Sequence, residues 1–420
     1  MLFRLIRLHL FRPRHALHGA TLFFLLACIH IHAAAQVKWS FGGFGTFAAT
    51  HATTDQGDYT ANPNSPGEAG YSKKWALDVD SRLGAQINAQ FDKRWSAVVQ
   101  VTQEKSVEND YKTFLTWANV KFQVTPEIAL RAGRIALPLF LMADYRKAAY
   151  ALPWLRSPVE LYSLIPISNS DGIDATYRWQ VGTVKNETQV LLGRAHVQLN
   201  KDFKGTASTI AAMTHNMVAG ALTLRFTASQ SQLAVPGTAE LFDSLRAFGP
   251  AGESLAARYD PTKRQVRVLS AGFNYDPGSW FLIGESGRIN TRSILGDQTA
   301  SYLSGGYRFD RVAPYVTYAH LVANMPTHTA GIALDGMPPE AAGVAGFLNE
   351  QLNLQLHQIG IQDTASIGVR WDLAPNMAFK AQVDHVTPKG GSIGTLINVQ
   401  PGFNSGQSFR VVSVGLDFVF

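Results

Sequence analysis

Histidine, serine, carboxylate and arginine side chains could do chemistry in this chain, and their spacing excludes most of it. Five of the twelve His fall within the first thirty-five residues. The others (His51, His196, His215, His320, His328, His357 and His385) show neither H-E-x-x-H nor the paired spacing that would hold a metal. There is no G-x-S-x-G nucleophile turn. Asp384-His385 has the residue types of an acid–base dyad, yet neighbours in a period-two strand point to opposite faces. Cys28 is the only cysteine, which leaves no disulfide framework and no cysteine metal site. Gly42-Gly43-Phe44-Gly45 is followed by no helical pattern and is read as small residues in a tightly curved strand, not as a phosphate loop. No cofactor, metal or covalent catalysis is expected.

What remains is charge. Between Arg131 and Glu160 stand five cations (Arg131, Arg134, Arg146, Lys147, Arg156) and two anions (Asp144, Glu160). Such a set can pair with Asp144, Glu160, Asp171 and Asp174 to pin a chain segment in place. Lining a narrow aqueous passage with low-dielectric walls, it would instead favour anions.

The elements that must position these residues are strands. Leu77, Val79, Leu83, Ala85, Ile87, Ala89 and Phe91 alternate with Asp78, Asp80, Arg82, Gln86, Asn88 and Gln90. The same period recurs at 365–373 and 379–384. No segment after the first thirty-five residues has the eighteen or more apolar residues of a transmembrane helix; the longest greasy run, Ile135 to Ala143, contains Pro138. A soluble sandwich would turn the apolar face inward, whereas a membrane barrel turns it out to lipid. Connection lengths decide between them. Short turns at 92–94, 125–127, 181–185, 276–278, 310–311 and 374–376 alternate with long segments around 50–74, 136–170, 232–263, 325–361 and 389–406, as the two rims of a membrane barrel require. Trp95, Trp179, Trp280 and Trp371 all sit near short turns, where an interfacial aromatic girdle belongs.

The two ends fit this reading. Arg4, Arg7, Arg12 and Arg14, an uncharged stretch from Ala20 to Ile31 and Ala33-Ala34-Ala35 read as a secretory signal peptide over residues 1–35, cleaved before Gln36. A retained anchor, or lipidation at Cys28, are the alternatives. The leader carries four of the 37 Lys and Arg and no acid, so the remaining chain is only about +2, with no basic cluster suited to nucleic acid. Ser408 to Phe420 alternates to the last residue. Val412, Val414, Leu416 and Phe418 are expected to face lipid, and Ser413, Gly415 and Asp417 the lumen.

Strand direction sets the count. Working inward from both ends leaves one descending strand to be found between the rising strands 186–199 and 217–231. The weakly patterned 203–213, with Thr214-His215-Asn216 as its turn, supplies it. The total is then about sixteen, an even number as single-chain bacterial barrels require.

From Arg131-Ala132-Gly133-Arg134 through Pro138, Asp144-Tyr145-Arg146, Trp154, Arg156-Ser157-Pro158 and Glu160 to Asp171-Gly172 and Asp174, the sequence resembles the Gram-negative outer-membrane porins. The resemblance extends over residues 36–420. It implies an all-β transmembrane antiparallel barrel in the outer membrane, assembled as a homotrimer among lipid and lipopolysaccharide. It further implies a third long loop, about 136–170, folded inward as a constriction, and passive diffusion of small hydrophilic solutes. The terminal strand ending in Phe418 and Phe420 resembles the signal read by the barrel-assembly machinery. Arg82, Arg131, Arg134, Asp144, Arg146, Lys147, Arg156, Glu160 and Asp171 are the expected pore residues, with a mild preference for anions. Ile135 to Met142 is expected to pack on the wall or on a neighbouring subunit. A closed barrel acting as an adhesin or structural protein, or a barrel enzyme, are the competing classes.

Overall fold

Alternation along the strands closes the chain into a barrel. The computed structural model describes residues 37–62, 67–198 and 203–420; the expected leader, its cleavage point and Cys28 lie outside them. The barrel strands are β1 (Lys38–Ala52), β2 (Arg82–Gln90), β3 (Trp95–Lys105), β4 (Tyr111–Gln123), β5 (Ile128–Ala136), β6 (Asn169–Val181), β7 (Val184–Gln198), β8 (Lys204–Ala219), β9 (Leu222–Ala234), β10 (Arg264–Tyr275), β11 (Trp280–Asn290), β12 (Gln298–Tyr307), β13 (Val312–Ala323), β14 (Gln362–Ala374), β15 (Met377–Pro388) and β16 (Phe409–Val419). Each pairs antiparallel with its neighbours, and β1 pairs with both β2 and β16, which shuts the sheet on itself with sixteen strands.

Outward residues such as Ile173, Leu192, Met213, Leu269, Val316 and Ile367 form an exposed apolar belt. A belt of that extent is stable against lipid hydrocarbon and not against water. Trp95, Trp179, Trp280 and Trp371 are exposed beside the short turns, Trp95 packing on Phe122 at 4.5 Å between ring centres. In β16, Ser413 and Asp417 are buried inward while Val412, Val414, Leu416 and Phe418 are partly exposed, as the alternation requires.

The seam between first and last strands explains the glycines of β1. A Cβ added at Gly43 would lie 2.3 Å from the Phe420 ring, and one at Gly45 the same distance from the Phe418 ring. Both aromatics therefore rest on bare backbone. Phe420 also exchanges two main-chain hydrogen bonds with Gly43, at 2.8 and 3.1 Å.

Three expectations need correction. The descending strand exists as β8, but Thr214-His215-Asn216 lies within it, each residue paired on both sides; the turn is at 220–221, where Gly220 takes a φ of +58°. These residues have turn-like composition because Thr214 serves an interior contact, donating to the Pro138 carbonyl at 2.8 Å. Second, Leu77 to Asp80 precede β2 and belong to a loop, so Asp78 and Asp80 are not strand residues. Third, the long loops carry helices that alternation did not reveal: α1 (Val159–Tyr162), α2 (Ala239–Arg246), α3 (Gly249–Tyr259) and α4 (Pro339–Leu356). The last three bury Phe242, Leu245, Tyr259, Leu348 and Leu352 against one another with Ile294 and Ile332, building a cap on the loop rim.

Candidate functional site: the constricted lumen

Residues 137–168 leave the end of β5, cross the lumen and return to β6. A backbone segment buried this way must find hydrogen-bond partners. The inner wall supplies them through side chains. Thr227 of β9 also reaches the Pro138 carbonyl at 3.2 Å, Ser270 of β10 the Leu139 carbonyl at 2.6 Å, and Glu285 of β11 accepts from the Leu141 amide at 2.7 Å. Trp154 donates its indole N–H to Ser304 of β12 at 2.7 Å. Lys380 of β15 donates to the carbonyls of Ala149, Leu152 and Trp154 at 2.6 to 2.8 Å, while its charge is met by Asp417 at 2.8 Å; both side chains have no exposed surface.

Arg156 is the principal side-chain anchor. Its guanidinium donates to both Asp80 carboxylate oxygens at 2.6 to 3.2 Å, contacts Asp384 at 3.0 Å, reaches Thr50 and Ser413, and lies 5.2 Å from the centre of the Tyr59 ring. Glu160, in α1, is buried and accepts from Gln362 at 2.6 Å and from Thr364. Asp384 therefore faces inward onto the loop while His385 is exposed outside, so the adjacent pair makes no dyad. Between these anchors the apolar residues Ile135, Leu137, Leu139, Phe140, Leu141 and Met142 are buried against the wall of the same barrel.

With the loop held on that side, open space remains between it and β2–β7. A cavity of about 400 Å³ on the loop rim is lined by Asp78, Arg82, Glu104, Lys105, Arg134, Arg146, Lys147 and His196, among others. A second, of about 380 Å³ toward the turn rim, is lined by Lys121, Arg131, Asp144, Arg178 and Glu187 with Gln86, Asn88 and Asn119.

No protein-family model and no curated protein sequence matches the chain. Solved structures do. An anion-selective porin from Comamonas acidovorans is 13% identical with a TM-score of 0.52, covering 92% of this chain and 100% of that one. OmpF of Salmonella typhi, solved with daunomycin, is 13% identical with a TM-score of 0.53, covering 91% and 98%. OmpT of Vibrio cholerae in a trimer form is 10% identical with a TM-score of 0.50, covering 91% and 99%. The fold is that of the outer-membrane porins.

Within this porin fold the expected residues separate into three groups. Arg82, Arg146 and Lys147 come together at the upper cavity. Lys147 pairs with Glu104, whereas no carboxylate among the described residues pairs with Arg82 or Arg146. Arg134 borders the same cavity and is bound to Asp171 at 2.6 Å. A second group faces the lower cavity: Arg131 is locked to Asp174 at 2.6 Å, and Asp144 meets Arg225 of β9 at 3.2 Å. Arg156 and Glu160 form the third group. Both are buried and act as anchors, Arg156 through Asp80, Asp384 and Ser413 and Glu160 through Gln362 and Thr364, although Arg156 also borders the upper cavity.

Several residues at work here went unrecognised. Glu104 and Lys105 close β3, and Lys105 is bound to Asp78 at 3.0 Å. Burial pushes the Asp78 carboxyl up, but Lys105 and Lys73 more than reverse it and hold it below the ordinary carboxylate range. Lys380 and Glu285 carried half a signal: each is a charge on the inward register of its strand, and only the structure shows both to be buried under the loop.

Proposed function

We propose that this protein is an outer-membrane porin, a water-filled channel through which small hydrophilic solutes and ions diffuse passively with a preference for anions. The observation that carries the reading is the cluster of Arg82, Arg146 and Lys147 around one carboxylate, Glu104, at the narrowed lumen. Fixed charge in a confined low-dielectric passage acts more strongly than on open surface, and screening limits it to about 8 Å at physiological salt. The local excess therefore outweighs the near-neutral average of the chain. The likeness in fold to a porin described as anion-selective supports the same sign. A trimer form of another porin-fold protein supports assembly as a homotrimer, with lipid and lipopolysaccharide around it. Residues 1–35 act as the secretory leader, and the terminal strand presents Phe418 and Phe420 to the barrel-assembly machinery. No covalent chemistry is assigned to the protein.

Reversal potential in a salt gradient across a planar bilayer tests this. Wild-type channels should prefer anions. Arg82→Gln and Arg146→Gln should each shift the potential toward cations, and Arg131→Gln, with its charge already offset by Asp174, should shift it less. A folded barrel that does not conduct would favour a closed structural barrel, and a cation-preferring channel would overturn the assignment of selectivity.

A further inference from the structure

A porin lumen is expected to be polar throughout, because water fills it. In the upper part of β7–β13 it is not. Inward-facing Val197, Ala207, Ile210, Leu233, Val266 and Val268 are all apolar and buried. Part of that surface is covered by Leu137, Leu139 and Ile165 of the constriction loop. The rest lines a half-open chamber of about 360 Å³, with that loop on one side and Ile294, Ile359 and the end of α4 on the other.

Three properties of the chamber define what it takes. It is large: an engineered apolar cavity of about 150 Å³ stays dry and binds benzene, and small-molecule sites begin at about 300 Å³. No described residue lining it is charged. Its polar side chains are all uncharged: Ser229 and Ser231 on β9, Gln298, Gln355 and Gln358 near the cap, and the hydroxyls of Ser163, Thr291 and Thr395. An ion would lose its hydration here without a counter-charge, while a neutral apolar body would replace poorly bonded water. The chamber also adjoins the charged passage, since Pro166 and Ile167 line both cavities.

We infer that this chamber is a binding site for an uncharged, mainly apolar molecule with one hydrogen-bonding group, of about the size of a bicyclic aromatic alcohol or an eight-carbon alcohol. The apolar body would lie against Leu139, Ile210, Val268 and Leu321, and the hydroxyl would reach the serines of β9 or the glutamines under the cap. This goes beyond diffusion of ions and does not depend on the selectivity of the passage.

The probe is 2-naphthol, titrated into the folded full-length barrel in lipid nanodiscs and followed by its fluorescence, with protein-free nanodiscs as the blank for partition into lipid. Wild type should show saturable binding at one site per chain. Ser231→Phe, whose new ring would occupy the chamber, should abolish it, and Ala207→Phe provides an independent filling from β8. Both must retain the heat-modifiable band of a folded barrel for the result to count, and Arg146→Gln, outside the chamber, should bind as wild type does. Replacing the probe by 2-naphthoate should weaken binding by about tenfold or more, because its carboxylate would be buried without a partner. No saturable binding above the blank, or binding that survives in whichever filled variant folds, overturns the proposal. Conductance is measured separately, so a channel that conducts without binding refutes the chamber alone and leaves the porin reading in place.

Discussion

The two sides of the lumen have been put to opposite uses. Along β2–β7 the inner wall carries Arg82, Glu104, Lys121, Arg131 and Asn119 and faces open space. Along β8–β13 the inner wall carries Ile210, Ala212, Val266, Val268 and Leu321 and faces the constriction loop and the chamber. Backbone geometry is the same on both sides. What differs is the medium the inward side chains meet: against packed protein they are apolar except where, as at Thr227, Ser270 and Glu285, they bond the loop backbone.

Breaking the anchor should have the largest effect on this division. Arg156→Gln leaves Asp80 and Asp384 buried without their cation, a loss on the order of 3–5 kcal/mol for a broken buried pair. The expected outcome is a lower unfolding temperature together with larger and noisier single-channel conductance as the loop leaves the wall. An unchanged melting curve would show that the loop is held mainly by its apolar face.

The next comparison is between outside and inside. Ile367 is 62% exposed on the outer belt, whereas Asn88 faces the lower cavity. Ile367→Arg should cost about 2–4 kcal/mol in folding into lipid and Asn88→Arg far less, because only the first cation faces hydrocarbon. Folded and unfolded bands after refolding into vesicles measure both. Ser413 is a poor site for such a test, since its hydroxyl is already bound to Arg156.

The smallest effect sharpens the charged side. Glu104→Gln removes the carboxylate among Arg82, Arg146 and Lys147 and should move the reversal potential further toward anions, opposite to the arginine substitutions. A shift toward cations would mean that Glu104 holds Lys147 in a position needed for selectivity and that losing the pair disperses the cluster.

The same division explains what could be read in the amino-acid sequence. Strand number, both rims, the tryptophan girdle and the faces of β16 were legible because each depends on a short-range pattern meeting lipid or water. β8 was faint because its inner residues Ala207, Ile210 and Ala212 pack on protein while Ala211 and Met213 face out, so both registers are apolar. The Arg82, Arg146 and Lys147 cluster was legible in residue type but not in role: Arg146 and Arg156 stand ten positions apart with similar neighbours, and only the path of the loop sends one to the passage and the other into the wall. The helical cap was missed because its apolar residues are arranged to meet other loops, which leaves no period of two. The chamber was invisible for a related reason, since it exists only where three separate segments fail to fill the space between them.

The bare backbone that seats Phe418 and Phe420 has a consequence for how the barrel comes to exist. Across the seam Thr46 donates to Asp417, 371 positions away. Drawn from an unstructured chain, closing such a loop costs about 5 kcal/mol from its length alone. The hairpins between them close at short range, so the expected order puts the seam last. Until then β1 and β16 are edges with unpaired main-chain groups, open to any other strand. Gly43 and Gly45 leave bare backbone under these two rings, so a bulky residue at either position should hinder closure of the seam, read as loss of the heat-modifiable folded band.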